Sequence, residues 1–357
     1  VTSLAPLLSM RQALPSVAPG TELREGLERI LRGRTGALIV LGYDETVASL
    51  CSGGFELDVE FSATRLRELA KMDGALVIDH QQRRIVRANV QLTPETSIPT
   101  SETGMRHRAA ARVARQTRFP VISVSKSMNT ISLYLGQERH VLEPSAHILA
   151  RANQAISTLE RYKSRLEEVT RTLSALEFAD MVTVGDVAVV LQRQEMVLRI
   201  GSEIDGYVAE LGTDGRLVSL QLDELVRGLA AERAYVLRDY VATLSLVRKA
   251  EEIISSLSST ELLDYTTLSA SLGLSDPEGL GLELPVSPRG YRMLSRIPRL
   301  PPVVAESIIH TIGPLRRVLQ ASQEQLQTVD GVGPLRARAV YDGLGRFAKA
   351  SHFDRWG

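Results

Sequence analysis

A single cysteine, Cys51, in 357 residues excludes an intrachain disulfide and a cysteine-built metal cage. A reducing, cytoplasmic setting is the expectation. No stretch approaches the ~18 consecutive apolar residues that a membrane-spanning helix needs. The opening run Val1-Thr2-Ser3-Leu4-Ala5-Pro6-Leu7-Leu8 has no basic residue ahead of it and makes a poor signal peptide. The common glycine-rich phosphate loops are also missing. So is any dense carboxylate cluster of the kind that supports two-metal cleavage of nucleic acid, which argues against a repair nuclease. Net charge is zero, with 42 Lys+Arg against 42 Asp+Glu.

The charge is unevenly spread. From Pro285 to the end there are 11 basic and 5 acidic residues. An excess of this sign points to an acidic partner for the C-terminal part, with nucleic acid the leading candidate. The length allows two or three domains, each with its own core, and three are read here.

Residues 1–145 read as α/β, a mixed sheet flanked by helices. Helices are expected over Thr21–Leu31, Ser62–Ala70 and Met105–Gln116, the first two capped by Thr21 and Ser62. The continuous apolar run Gly36–Leu41 reads as a buried strand. Further strands are expected at Ala75–Ile78, Ile85–Val90, Val121–Val124 and Ile131–Leu135. Strict βαβ alternation is absent, so a doubly wound fold is not expected. From 146 to 284 the pattern is all-helical. It begins with a long amphipathic helix in which Ile148, Ala152, Leu159, Leu166 and Leu173 recur at helical spacing, suited to a spine or an oligomer contact. Gly273–Pro288, rich in Gly, Pro and Ser, reads as a linker.

Residues 285–357 form the third domain. Leu326 to Ala337 reads as a helix, a short Gly331-Val332-Gly333 hairpin, and a second helix begun by Pro334. Glycines permit close approach to another surface, and the backbone N–H groups that follow suit a DNA phosphate, with Arg336 and Arg338 in the same turn. The pattern resembles a helix-hairpin-helix DNA-binding motif. A weaker copy precedes it, Ile297-Pro298-Arg299-Leu300-Pro301-Pro302. Prolines there replace glycines, so this hairpin is expected to serve packing more than phosphate contact.

Two short motifs carry the chemistry. Asp73-Gly74-Ala75 puts a carboxylate on a tight turn ahead of an apolar strand, and Arg106-His107-Arg108 puts cations where a helix begins. Cations at a helix N-terminus oppose the macrodipole unless an anion neutralises them, so phosphate is the natural ligand. A nearby carboxylate suits a metal ion or a hydroxyl proton. Together they indicate chemistry on a nucleoside triphosphate.

Lys71-Met72-Asp73-Gly74-Ala75, Ala88–Leu92, Ile98-Pro99-Thr100 and Thr103-Gly104 followed by Arg106-His107-Arg108 occur in this order and at this spacing in a known family. With the C-terminal motif, the chain resembles the diadenylate cyclase family of DNA integrity scanning proteins over nearly its whole length. The resemblance implies condensation of two ATP into cyclic di-AMP and two pyrophosphates, across facing sites in an octamer, with branched DNA modulating the output. It implies that Asp73 activates the 3′-hydroxyl together with Mg²⁺ or Mn²⁺. It places the backbone of Gly74 and Ala75 against the nucleotide and the main chain of Leu92 on adenine. Arg106, His107 and Arg108 fall on the triphosphate, with Ser125 adding a hydroxyl. The chain departs from the family at Met105 and Ala109, where hydroxyl residues are usual, and at Ala111, where an acid is usual. These departures support a second reading, a DNA-binding structural or sensor protein whose nucleotide domain binds ATP but is weakly active or inactive.

Overall fold

The computed structural model describes residues 9–274 and 280–353. The N-terminal run judged against signal peptides and the middle of the expected linker lie outside them. The described chain divides into two compact units, 1–154 with 204–220, and 155–203 with 221–357. No helix among the described residues is long and apolar enough to cross a membrane.

The first unit is built on an eight-stranded mixed sheet: β1 Ala37–Leu41, β2 Cys51–Ser52, β3 Phe55–Glu60, β4 Ala75–Asp79, β5 Arg84–Leu92, β6 Val121–Ser125, β7 Thr130–Leu135 and β8 Glu138–Leu142. Their order is β2-β5-β4-β1-β6-β7-β8, with β3 also paired to β5. Only β1 and β4 run parallel, Leu38 opposite Ala75; β6 runs antiparallel to β1, Ala37 opposite Val124. Central β1 and β4 are buried on both faces, which is why they read as unbroken apolar runs.

One face, with Ile39, Leu76, Ile122 and Leu133, packs on Leu27 and Ile30 of the Glu22–Arg32 helix and on Leu66 of the Ala63–Leu69 helix. The other, with Leu38, Val40, Val77 and Val121, packs on Ala110, Val113 and Ala114 of the Met105–Thr117 helix. Thr21 and Ser62 accept hydrogen bonds from the third backbone N–H of their helices, as the sequence indicates. The helix Glu45–Leu50 and the strands β2, β3 and β8 are additions to the sequence reading.

Within this unit His140 on β8 lies 2.9 Å from Glu210, its ring nitrogen Nε2 against Oε1. The Glu210 hydrogen bond raises the imidazole pKa above its ordinary 6.5, ahead of the opposing effect of burial. A pKa raised on folding stabilises the fold fully below the unfolded value, and that stabilisation is lost as pH rises through the folded value. His140→Gln should therefore lower the melting temperature at about pH 6 and make little difference at about pH 9. An equal loss at both pH values would assign the effect to packing.

Among the described residues the second unit is helical, apart from one bridge between Thr183 and Pro285, and has two cores. The first joins Leu173, Val187, Leu191, Val236, Leu237, Ile254 and Leu268. The second joins Leu294, Ile308, Leu315, Leu326, Val340 and Leu344. The helices Ser145–Ala179 and Val184–Leu211 supply residues to both units. The expected linker is not free over 280–288. Val184 N–H donates to Leu284, Val286 N–H donates to Val182, and Leu282, Leu284 and Val286 pack on the first of these cores. Leu282, Leu284 and Val286 override the loop composition.

Candidate active site

Topology brings the two chemical motifs together. Because β1 and β4 are parallel, the turns that precede them, at Gly36 and Asp73-Gly74, open on one edge of the sheet. Antiparallel β6 delivers Ser125 to that same edge. Gly74 has φ +152°, and a Cβ there would come within 2.7 Å of the Asn89 backbone, so glycine lets the Asp73 turn seat against β5. Asn89 itself takes φ +55° where the β4–β5 register is irregular.

The Met105–Thr117 helix begins over this edge with Gly104 as N-cap, no side-chain cap and no acid in its first turn. Arg112 donates to the carbonyls of Ile98 at 3.0 Å and Thr96 at 3.1 Å, and Arg115 to that of Pro99, which clamps the preceding loop to the helix. Arg106 reaches across the edge and donates from Nη2 to Asp73 Oδ1 at 3.1 Å. Its guanidinium covers Gly36, where any Cβ would collide with it. The Asp73 carboxylate is 98% exposed.

Asp73, Arg106, His107 and Ser125 line one cavity of about 960 Å³ with Arg34, Met105, Ser123, Lys126, Ser127 and Asn129. Two of the residues lining it each hold a buried side-chain atom with no hydrogen-bond partner among the described residues, Nε2 of His107 and Oγ of Ser123. Buried polar atoms are rarely left unpaired, so these two mark where a polar ligand belongs. His107 is only 6% exposed. Burial first, then the Arg139 charge, holds its pKa below 6.5, against a smaller pull from Glu102. Ser125 Oγ accepts from Met128 N–H at 3.3 Å and lies 3.3 Å from Ser127 Oγ, a contact in which either hydroxyl can donate.

Four residues taken over from the family pattern are not among those lining the cavity. Arg108 is exposed on the helix, Gly74 seats against Asn89, Ala75 is buried opposite Val90, and Leu92 pairs with Cys51. The three departures also separate. Met105 is 88% exposed at the rim, whereas Ala111 is buried in the apolar core beside the sheet and Ala109 packs against that core. Sequence reasoning missed Arg34, Ser123 and Lys126. A signal for Ser123 was present, since Val121-Ile-Ser-Val-Ser125 alternates and puts Ser123 on the face of Ser125.

Among the described residues no group of three or more His, Cys, Asp or Glu could hold a metal ion. A single exposed carboxylate beside a cationic cavity would suit Mg²⁺ or Mn²⁺ if a phosphate ligand enters, because such ions commonly take one or two carboxylates and complete their shell with phosphate and water.

In the second unit the two C-terminal hairpins share one geometry. Gly331 has φ +80° and Arg299, its counterpart, φ +62°. Val332 is buried as the anchor of its turn. Leu335 and Val303, each second in its helix, are 87% and 72% exposed. Pro298 and Arg299 line the same cavity as Gly333, Leu335, Arg336 and Arg346, of about 870 Å³. The first hairpin thus lies at the surface beside the second. Arg336 donates to the Gly331 carbonyl at 2.7 Å, and Arg338 pairs with Asp342 at 3.4 Å.

Comparison with known proteins matches residues 24–139 to the DisA bacterial checkpoint controller nucleotide-binding family and residues 142–280 to the DisA bacterial checkpoint controller linker region. DNA integrity scanning protein DisA from Kineococcus radiotolerans is 58% identical over 97% of this chain and 97% of its own length. The Frankia alni protein of the same name is 57% identical with the same coverage. Among solved structures, DacA from Staphylococcus aureus aligns with 36% of this chain and 86% of its own, at 22% identity and a TM-score of 0.30. The chain belongs to the diadenylate cyclase family of the DNA integrity scanning protein DisA.

Proposed function

We propose that the protein condenses two ATP into cyclic di-AMP with release of two pyrophosphates, and that DNA bound at the C-terminal hairpins modulates this output. One observation carries the reading. An acid and a cluster of cations meet at the mouth of a cavity whose lining residues hold two buried polar atoms without partners among the described residues.

The chemistry follows from the charges. Arg106, Arg34 and Lys126 neutralise a triphosphate, and Nε2 of His107 and Oγ of Ser123 donate to its oxygens. Each 3′-oxygen forms a bond to the α-phosphorus of the opposite ATP while the bond from that phosphorus to the β-phosphate bridging oxygen breaks. The proton leaves the hydroxyl toward Asp73. Asp73 would also hold Mg²⁺ or Mn²⁺, which when bound lowers the hydroxyl pKa and offsets phosphate charge. One cavity supplies one ATP, so two copies must face each other, and we place them within a larger homo-oligomer, an octamer.

Purified protein given ATP with Mg²⁺ or Mn²⁺ should yield cyclic di-AMP by mass spectrometry. No product at high protein concentration would reject the cyclase reading and leave a nucleotide-binding DNA protein.

The hairpin glycines separate fold from function. Gly331 needs its positive φ, whereas Gly333 has no positive φ and nothing within 4 Å of an added Cβ. The fold therefore does not demand glycine at 333, but a phosphate backbone approaching the hairpin does. Gly333→Leu should keep its melting temperature and bind branched DNA roughly tenfold more weakly, the loss of about one phosphate-hairpin contact. Unchanged binding would remove this hairpin from the DNA site.

A further inference from the structure

Tyr134 belongs to none of the motifs above. It is buried on β7, on the sheet face that carries the Met105–Thr117 helix, and its hydroxyl lies 2.7 Å from Nδ1 of His107. Its neighbour across the β7–β8 pair is Arg139. The Arg139 guanidinium stands over the phenol ring, 5.8 Å from its centroid. It donates to the two Glu102 oxygens at 3.1 and 3.3 Å and to Ser132 Oγ at 3.3 Å. Glu102 lies two residues before Gly104, the helix N-cap. The network therefore ties the loop before the helix, two strands and the His107 ring into one block.

Proton positions follow from this arrangement. Burial pushes the Tyr134 pKa up to about 12, so its hydroxyl keeps its proton at any working pH. Glu102 and Ser132 also stand near the phenol, but Arg139 holds both Glu102 oxygens and the Ser132 hydroxyl, and the close contact of the Tyr134 hydroxyl is Nδ1 of His107 at 2.7 Å, which we take as its acceptor. A neutral imidazole that accepts at Nδ1 carries its proton at Nε2. Nε2 is the buried atom left without a partner among the described residues, on a residue that lines the cavity. A phosphate oxygen only accepts, so Nε2 must donate to be of use there.

We propose that Tyr134 is a positioning residue of the triphosphate site: its hydroxyl, held in place by the Arg139–Glu102 pair, donates to Nδ1 of His107 and fixes the neutral ring with Nε2–H turned to the phosphates. This rests on the triphosphate reading of the cavity. It also explains how a buried histidine between two arginines can bind an anion without itself being charged, since a neutral donor avoids burying a cation near the Arg139 charge.

The test uses the full-length protein in two arms. Solid-state ¹⁵N NMR with labelled histidine rings reads the tautomer, and His107→Gln identifies its signal among the six histidines. The expected wild-type state is neutral Nε2–H, and Tyr134→Phe should lose it in favour of a mixture. A wild-type Nδ1–H or imidazolium state, or a tautomer indifferent to Tyr134→Phe, overturns the proposal.

The kinetic arm reads coupling. Tyr134→Phe should raise KM for ATP roughly tenfold, the worth of one hydrogen bond to a charged group, with a much smaller change in kcat. In a His107→Gln background the same change should add nothing to KM, which a merely structural tyrosine would not reproduce; additive effects overturn the proposal. Wild-type protein that neither binds ATP nor forms product rejects the triphosphate reading by itself, and the NMR arm then judges the hydrogen bond alone.

Discussion

Asp73→Asn should form cyclic di-AMP roughly 10³-fold more slowly than the wild type, within the range that loss of a positioned general base spans, while still binding ATP. The two halves of this expectation come from the same geometry. Asparagine keeps the shape of the turn, so the Gly74 contact with Asn89 and the start of β4 are undisturbed. What is lost is a negative charge and a proton acceptor on an almost fully exposed carboxylate. That charge repels a triphosphate, and it also occupies Arg106 in an ion pair at 3.1 Å. Removing it leaves the guanidinium freer for phosphate, so ATP affinity should hold or rise slightly. Turnover depends on activating the 3′-hydroxyl, and the cavity lining offers no second carboxylate to take that role. Product measured by mass spectrometry and ATP affinity by calorimetry separate the effects. Near-normal turnover would take the role from Asp73, and equal loss of binding and turnover would make it a binding residue only.

The sheet was legible where burial on both faces wrote itself into composition. Ala37–Leu41 and Ala75–Ile78 are unbroken apolar runs, and Thr21 and Ser62 stand where helix caps belong. Phe55-Glu-Leu-Asp-Val-Glu60 and Glu138-Arg-His-Val-Leu142 were missed because they are strands of the sheet periphery. Their outward residues are charged, and the alternation rests on two or three apolar positions each. The site was legible as motifs but not as a place. Asp73 and Arg106 are 33 residues apart, and only the parallel pairing of β1 with β4 brings Gly36, Asp73 and Ser125 to one edge. Neither strand announces that pairing. Tyr134 was hidden for the opposite reason, since Ile131-Ser-Leu-Tyr-Leu135 reads as a buried strand and its phenol as core. Only the 2.7 Å contact with His107 gives that hydroxyl a chemical task.

Arg292→Leu should destabilise the protein by about 3–5 kcal/mol, the usual cost of breaking a buried ion pair from one side. Arg292 is buried among helices of the second unit. It pairs with Glu177 through Nε at 3.2 Å and again through Nη2, and Nη2 also donates to Ser174 Oγ at 3.0 Å. Glu177 accepts from the Tyr240 hydroxyl at 2.8 Å. Asp239, also buried, accepts from the backbone N–H groups of Gly290 and Tyr291 at 2.7 Å and of Arg292 at 3.0 Å. Burial first, then the neighbouring Glu177 charge, pushes the Asp239 pKa up to about 7, against the pull of those three N–H groups. Of these two acids only Glu177 touches the guanidinium, with Glu232 at 3.9 Å and Asp239 attracted at longer range, so leucine at 292 would strip buried Glu177 of its counter-charge and remove that attraction from Asp239. The deficit should then depend on pH. Acid neutralises Asp239, whose pKa is pushed up to about 7, so the gap to the wild type should narrow as pH falls below that value, whereas a packing defect would not change. Pairing Arg292→Leu with Glu177→Gln should recover much of the loss, because the amide removes the buried charge and its carbonyl still accepts from Tyr240. A double variant as unstable as the single one, at every pH, would show that the guanidinium matters for its shape and not for its charge.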